Sequence, residues 1–169
     1  MNPVLISACL LGVHSRYDGG TCFDRELVER LRREGCELVP VCPEQLGGLT
    51  TPRAPAEVQT MIEEDEHGTW SRGDAENKSA GSGGAAVLAG KLRVLTADGT
   101  DVTEQYLRGA RETLRIAQLF GCRRAFLRER SPSCGVQQIT RGGQTEPGRG
   151  VAAALLAESG VEVIGAEPG

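Results

Sequence analysis

Residues 3–8 read Pro-Val-Leu-Ile-Ser-Ala, and residues 36–41 read Cys-Glu-Leu-Val-Pro-Val. Each is a short apolar run of the length and β-branched content expected of a buried strand. Between them Asp24 stands where a helix cap belongs, and Leu27, Val28 and Leu31 fall on one helical face. Gly35 sits where such a helix stops. Strand, helix and strand in this order form a βαβ unit, whose crossover makes the two strands parallel.

Downstream, the alternation repeats. Residues 92–95 read as a strand, and Asp101 with Glu104 has the spacing of a capping box. A long helix follows, with Val102, Tyr106, Ala110, Leu114 and Ala117 at near-helical intervals and Gly121 at its end. Residues 124–127 form the next strand, 151–158 the last helix and 161–164 the last strand. The expectation is one α/β domain over 1–169, three-layered and Rossmann-like, with a mainly parallel sheet and helices on both faces. Two stretches interrupt the pattern. Residues 42–55 are rich in Pro and Gly and read as a loop. Residues 58–90 read as an exposed insertion, acidic at first and then Lys-Ser-Ala-Gly-Ser-Gly-Gly, with 85–89 as the part able to pack.

The 169 residues are 39% hydrophobic and 25% charged, values of an ordinary globular domain. No apolar run is long enough to span a bilayer. The opening Met1-Asn2-Pro3-Val4 has no basic region or cleavage site, so the expected location is the cytoplasm. A net charge of −4 argues against a nucleic-acid partner. Arginines do cluster: residues 108–149 hold nine Arg against three acids. Such a bias fits an anionic ligand or a solvated helix face.

In an open parallel sheet, ligands bind beyond the carboxyl ends of the strands. Three of the six cysteines follow strand ends: Cys9 in Ser-Ala-Cys-Leu-Leu-Gly, Cys42 in Cys-Pro-Glu, and Cys134 in Ser-Pro-Ser-Cys-Gly. Cys36 and Cys122 fall at strand starts and read as small core residues, while Cys22 is placed ambiguously in the first loop. Three converging thiols fit a metal or cluster site, a redox triad or a catalytic thiol. Soft thiolates favour zinc, copper(I) or iron–sulfur, and three ligands leave a coordination position open. Glu44, two residues past Cys42, and Ser131, three before Cys134, lie beside any such site. A carboxylate there moves protons and a hydroxyl donates or accepts them; otherwise Glu44 is a loop charge and Ser131 a turn former. Arg16, Asp18 and Ser133 are candidate substrate contacts, although Arg16-Tyr17-Asp18-Gly19-Gly20 is equally a turn. Arg53 reaches either a ligand or Glu57.

The motifs Ser7–Gly12 (SACLLG), RYDGG, CPEQLGGLTTPRAPAE, DGTDVTEQYLRGA and RSPSCG occur in this order. Together they resemble the thiouracil desulfurase family, long catalogued as domain of unknown function 523. The resemblance covers nearly the whole chain outside residues 58–90. It implies a [4Fe-4S] cluster on Cys9, Cys42 and Cys134, with Glu44 and Ser131 as the catalytic acid–base and hydroxyl residues. It also implies a non-redox reaction on a thiolated base, nucleoside or nucleotide, with sulfur taken onto the open iron and released as hydrosulfide. Ser15 stands where members often carry a cysteine, and Arg130 replaces a common lysine. Two rival readings are a cysteine-thiol sulfur-transfer enzyme using Cys134 and a non-catalytic metal-binding or regulatory module. The sequence names no protein partner.

Overall fold

The structure, a computed structural model, describes residues 2–59, 62–64, 70–72 and 83–167. Its central sheet has four strands: β1 (Asn2–Ser7), β2 (Cys36–Val41), β7 (Arg124–Arg128) and β10 (Glu162–Ala166). They lie side by side in the order β10-β7-β1-β2, and every pairing is parallel. In register, Ser7 faces Val41 and Arg128 faces Ala166, so all four carboxyl ends share one edge.

Helix α1 (Arg25–Arg33) starts as expected: the Asp24 carboxylate accepts from the Leu27 N–H at 3.0 Å. Its buried Leu27 and Leu31 pack with Val4, Ile6 and Phe126 on one face of the sheet. Each such side chain stabilises the fold by about 1.5–3 kcal/mol. The opposite face carries α4 (Thr103–Phe120) and α5 (Val151–Glu158), whose Ala117, Ala153 and Leu156 cover Leu5, Ala125 and Leu127. Three layers result, as the alternation of elements predicts.

Several local expectations are corrected. Residues 42–55 are not all loop, because Pro43–Leu46 form a short helix, α2. Strand β6 (Arg93–Thr96) does not join the parallel sheet; it pairs antiparallel with β3 (Ala56–Gln59). The loop after β7 contains a hairpin of β8 (Gln138–Arg141) and β9 (Gln144–Pro147). Asp101 and Glu104 make no capping box: α4 starts one residue later, and the Asp101 carboxylate accepts from the Thr103 N–H at 2.9 Å. Cys122 is buried as expected, whereas Cys36 is only half-buried, beside the Arg124 guanidinium at 3.3 Å.

Of the stretch 58–90, residues 60–61, 65–69 and 73–82 lie outside the described residues. Within it, β4 (Ile62–Glu64) pairs antiparallel with β5 (Trp70–Arg72). The end of the stretch is packed: α3 (Gly84–Leu88) buries Ala86 and Val87, and Val87 joins a second core with Val58, Val94, Tyr106, Ile139 and Val151. Among the described residues no helix is long and apolar enough to cross a membrane.

Candidate active site at the strand ends

Cys9 follows β1 within a single 3-10 turn (Ala8–Leu11) that Gly12 closes at a φ of 89°, a conformation few other residues adopt. The Cys9 carbonyl accepts from the Cys22 N–H at 3.1 Å and from the Thr21 hydroxyl at 2.9 Å. Cys42 follows β2 and caps α2, with Pro43 at the first helical position, where its missing N–H costs nothing. Cys134 lies in the loop after β7. There the Ser131 Oγ accepts from the N–H groups of Ser133 at 3.2 Å and Cys134 at 3.1 Å.

That loop is fixed from two further sides. The carbonyls of Pro132 and Ser133 accept from Val151 at 2.9 Å and Ala152 at 3.0 Å, satisfying N–H groups left orphaned at the start of α5. On the other side, the buried Glu129 carboxylate accepts from the N–H groups of Val136, Gln137 and Gln138 at 3.0–3.1 Å. A carboxylate so satisfied is a structural clamp. Nothing in the sequence marked Glu129 out, since its partners are backbone groups.

One cavity of about 350 Å³ is lined by Cys9, Cys42 and Cys134 together with Glu44, Ser131, Ser133 and Arg16. Asp18 does not line it: its carboxylate accepts from the Gly20 N–H at 2.9 Å and pairs with Arg16 at 3.2 Å, which is the turn reading. Ser15 is buried on the cavity wall.

Glu44 is almost wholly buried, and four donors surround it. Arg53 reaches Oε2 through Nε at 2.7 Å and Nη2 at 2.5 Å. Oε1 accepts from the Tyr106 hydroxyl at 2.9 Å and the Ser133 hydroxyl at 3.1 Å. Arg53 thus pairs with Glu44 and not Glu57, whose carboxylate instead accepts from the Gly142 N–H at 2.6 Å. Tyr106 reads in the sequence only as a core residue of a helix; its hydroxyl makes it part of the site.

Among the described residues no three donors are close enough to share a single metal ion. The three thiols line one cavity, side by side with Glu44 and Ser131. All six cysteines are free. Burial pushes the Cys134 thiol up to about 12 and raises Cys42. Cys9 is raised by a hydrogen bond with the Cys22 thiol and then by burial, while that bond lowers Cys22 to about 7. Cys22 therefore does approach Cys9, although it does not line the cavity. Buried thiols of this kind ionise only against compensating positive charge. Arg128 supplies some from the cavity wall, and among the described residues it has no carboxylate partner. The donor set, soft and cation-demanding, fits an iron–sulfur cluster.

Comparison with known proteins gives the family. Residues 4–167 match the 2-thiouracil desulfurase family. The chain belongs to that family. Over 164 residues it is 38% identical to the uncharacterized protein YbbK of Bacillus subtilis (strain 168), covering 95% of this chain and 93% of that protein. A solved structure of a "[4Fe-4S]-dependent thiouracil desulfidase TudS" superposes with a TM-score of 0.72 at 33% identity. The likeness spans 98% of this desulfurase-family chain and 91% of that one.

Proposed function

We propose that this protein converts the thiocarbonyl of a thiouracil-type base into a carbonyl, using a [4Fe-4S] cluster held by Cys9, Cys42 and Cys134. The observation that carries the reading is the single cavity these three thiols share with Glu44 and Ser131, in a member of this family. When bound, the cluster supplies a soft Lewis-acidic iron for the thiocarbonyl sulfur. The chain's own residues do the rest.

Arg53 holds the Glu44 carboxylate in place from within the protein, leaving Oε1 turned toward the serine loop. Glu44 accepts the proton of the water that attacks the C=S carbon, and returns it as sulfur departs. Ser131 presents a hydroxyl at the cavity wall for the ring nitrogen or the attacking water. Water enters and hydrosulfide leaves, so no net electron transfer occurs. A small thiolated base suits the cavity; Arg16, paired with Asp18, and Arg130, paired with Glu167, line it too, and a nucleotide's phosphate would have to compete with those carboxylates.

The test is to load the protein with its cluster without oxygen and assay hydrosulfide release from thiouracil, its nucleoside and its nucleotide. Loaded protein turns over at least one of them, and iron-free protein turns over none. Glu44→Gln keeps the cluster's absorption and loses about a hundredfold in rate, the scale of a positioned acid–base group. Equal activity without iron would instead favour a thiol enzyme acting through Cys134.

A further inference from the structure

Cys22 sits at the end of the first loop, and nothing in the proposed reaction uses it. Its N–H donates to the Cys9 carbonyl at 3.1 Å, and the Asp24 N–H donates to the Leu10 carbonyl at 3.0 Å. The Thr21 hydroxyl adds a further bond to the Cys9 carbonyl at 2.9 Å. These bonds stitch the end of the loop back onto the turn that presents Cys9. A direct N–H···O=C bond of this kind leaves the two Cα atoms no more than about 7 Å apart, the outer reach of a disulfide. The side chains use that closeness, since the two thiols share a hydrogen bond. Both are free thiols.

The surroundings of the pair are unequal. Cys9 is buried and lines the cavity, whereas Cys22 is half-buried and lies outside it. A cluster on Cys9, Cys42 and Cys134 occupies the first thiol and leaves Cys22 unbound. The other two ligands have oxygen partners: the Cys42 thiol donates to the Ser15 carbonyl at 3.6 Å, and the Cys134 sulfur accepts from the Ser133 hydroxyl at 3.7 Å. Cys9 is the ligand whose backbone is bonded to another cysteine. We propose that Cys22 is a redox guard of the cluster site. In cluster-free protein it captures Cys9 in a disulfide, which withdraws one ligand and closes the site to iron until a reductant reopens it. The proposal rests on Cys9 being a ligand, as in the function proposed above, and adds a control on when the cluster is built.

The oxidant is a low-molecular-weight disulfide of the glutathione class. The Cys22 sulfur, the more accessible of the two, attacks it and breaks its S–S bond. A mixed disulfide forms on Cys22, and one small thiol leaves with the Cys22 proton. The Cys9 sulfur then attacks the Cys22 sulfur, forming the internal bond and releasing the second small thiol with the Cys9 proton. Two protein thiols are oxidised, one small disulfide is reduced to two thiols, and nothing else is consumed. The link is reversible, whereas an unguarded ligand thiol oxidised as far as the sulfinic acid is lost.

The test uses full-length protein freed of iron and treated with oxidised glutathione in the absence of oxygen. Intact mass, peptide mapping and iron uptake are the readouts. The expected product is lighter by a pair of hydrogens and carries a Cys9–Cys22 link. On reconstitution it takes up about tenfold less iron than untreated protein, because a metal ligand must be a free thiol to bind. Dithiothreitol restores the uptake. Cys22→Ser is expected to load like wild type before the oxidant and to keep that loading after it. Cluster-loaded wild type forms no link while its absorption persists. A link from Cys9 to Cys42 or Cys134 instead, a glutathione adduct on Cys22 that never resolves, or equal loss of uptake in Cys22→Ser would overturn the guard. Normal uptake by linked protein would overturn it as well, and would remove Cys9 from the ligand set. Failure of loaded protein to release hydrosulfide would sink the desulfuration alone, since the link and the uptake are read without substrate.

Discussion

Tyr106 donates to Glu44 from the interior, and its environment holds its proton tightly. Burial, and then the Glu44 charge, push its ionisation well above the ordinary tyrosine range. A group raised in the folded state contributes stability that is complete below the unfolded pKa and lost as pH climbs past it. The unfolded value is about 10, so this protein should lose stability in alkali. Denaturant unfolding of iron-free protein at about pH 9 and about pH 11 should show that loss, and Tyr106→Phe should show a smaller one. Equal losses would mean that Tyr106 ionises freely. The sequence could not give Tyr106 this role, because an aromatic at helical spacing reads as core whether or not its hydroxyl has a partner. Glu44 and Ser131 were legible for the opposite reason: each lies within three residues of a thiol at a strand end. Arg53 lies four residues from Glu57 and nine from Glu44, so the sequence favours the nearer partner, and only the path of the loop turns it to the farther one.

Where α2 crosses α4, two glycines face each other. A Cβ on Gly109 would lie 1.9 Å from the Pro43 carbonyl oxygen, and one on Gly47 would lie 2.0 Å from that of Gln105. The helix bearing Glu44 thus rests on the backbone of the helix bearing Tyr106. In an ordinary helix interior, Gly to Ala stabilises by about 0.5–1 kcal/mol. Here Gly109→Ala should do the reverse, destabilising by about 1–3 kcal/mol as overpacking does, and should lower the rate by moving Glu44 from Tyr106. A stabilised, fully active variant would show that α2 can shift without harm. The elements were legible where apolar runs and their stops coincide: β2 and α5 span the residues read from sequence, and α1 starts at its Asp24 cap. They were illegible where pairing is decided at a distance. β6 has a strand's composition, yet its partner is β3 and not the parallel sheet. The four-residue α2 is too short to show periodicity, and the β8–β9 hairpin lies in polar sequence that reads as loop.

On the scale of the whole molecule, the three thiols come from three neighbouring strands, so a cluster on them ties β1, β2 and β7 at one edge. A ligand bound only by the folded state adds its binding energy to stability. Cluster-loaded protein should therefore unfold at higher denaturant than iron-free protein, and Cys134→Ser should abolish most of both the difference and the loading. Cys36→Ser and Cys122→Ser, at the opposite edge, should load normally. Loss of the cluster in Cys36→Ser with retention in Cys134→Ser would reverse the assignment of ligands. The clamp below Cys134 reaches farther along the chain. Glu129 shapes the loop through its carboxylate, while its N–H bonds the Ala166 carbonyl at 3.1 Å and its side chain lies where any Cβ on Gly165 would sit. Strand β10 carries no thiol of its own, yet its last residues wall the loop that presents Cys134. A change at Gly165 would therefore be felt at a thiol thirty-one residues away in sequence, through Glu129 and not through any direct contact.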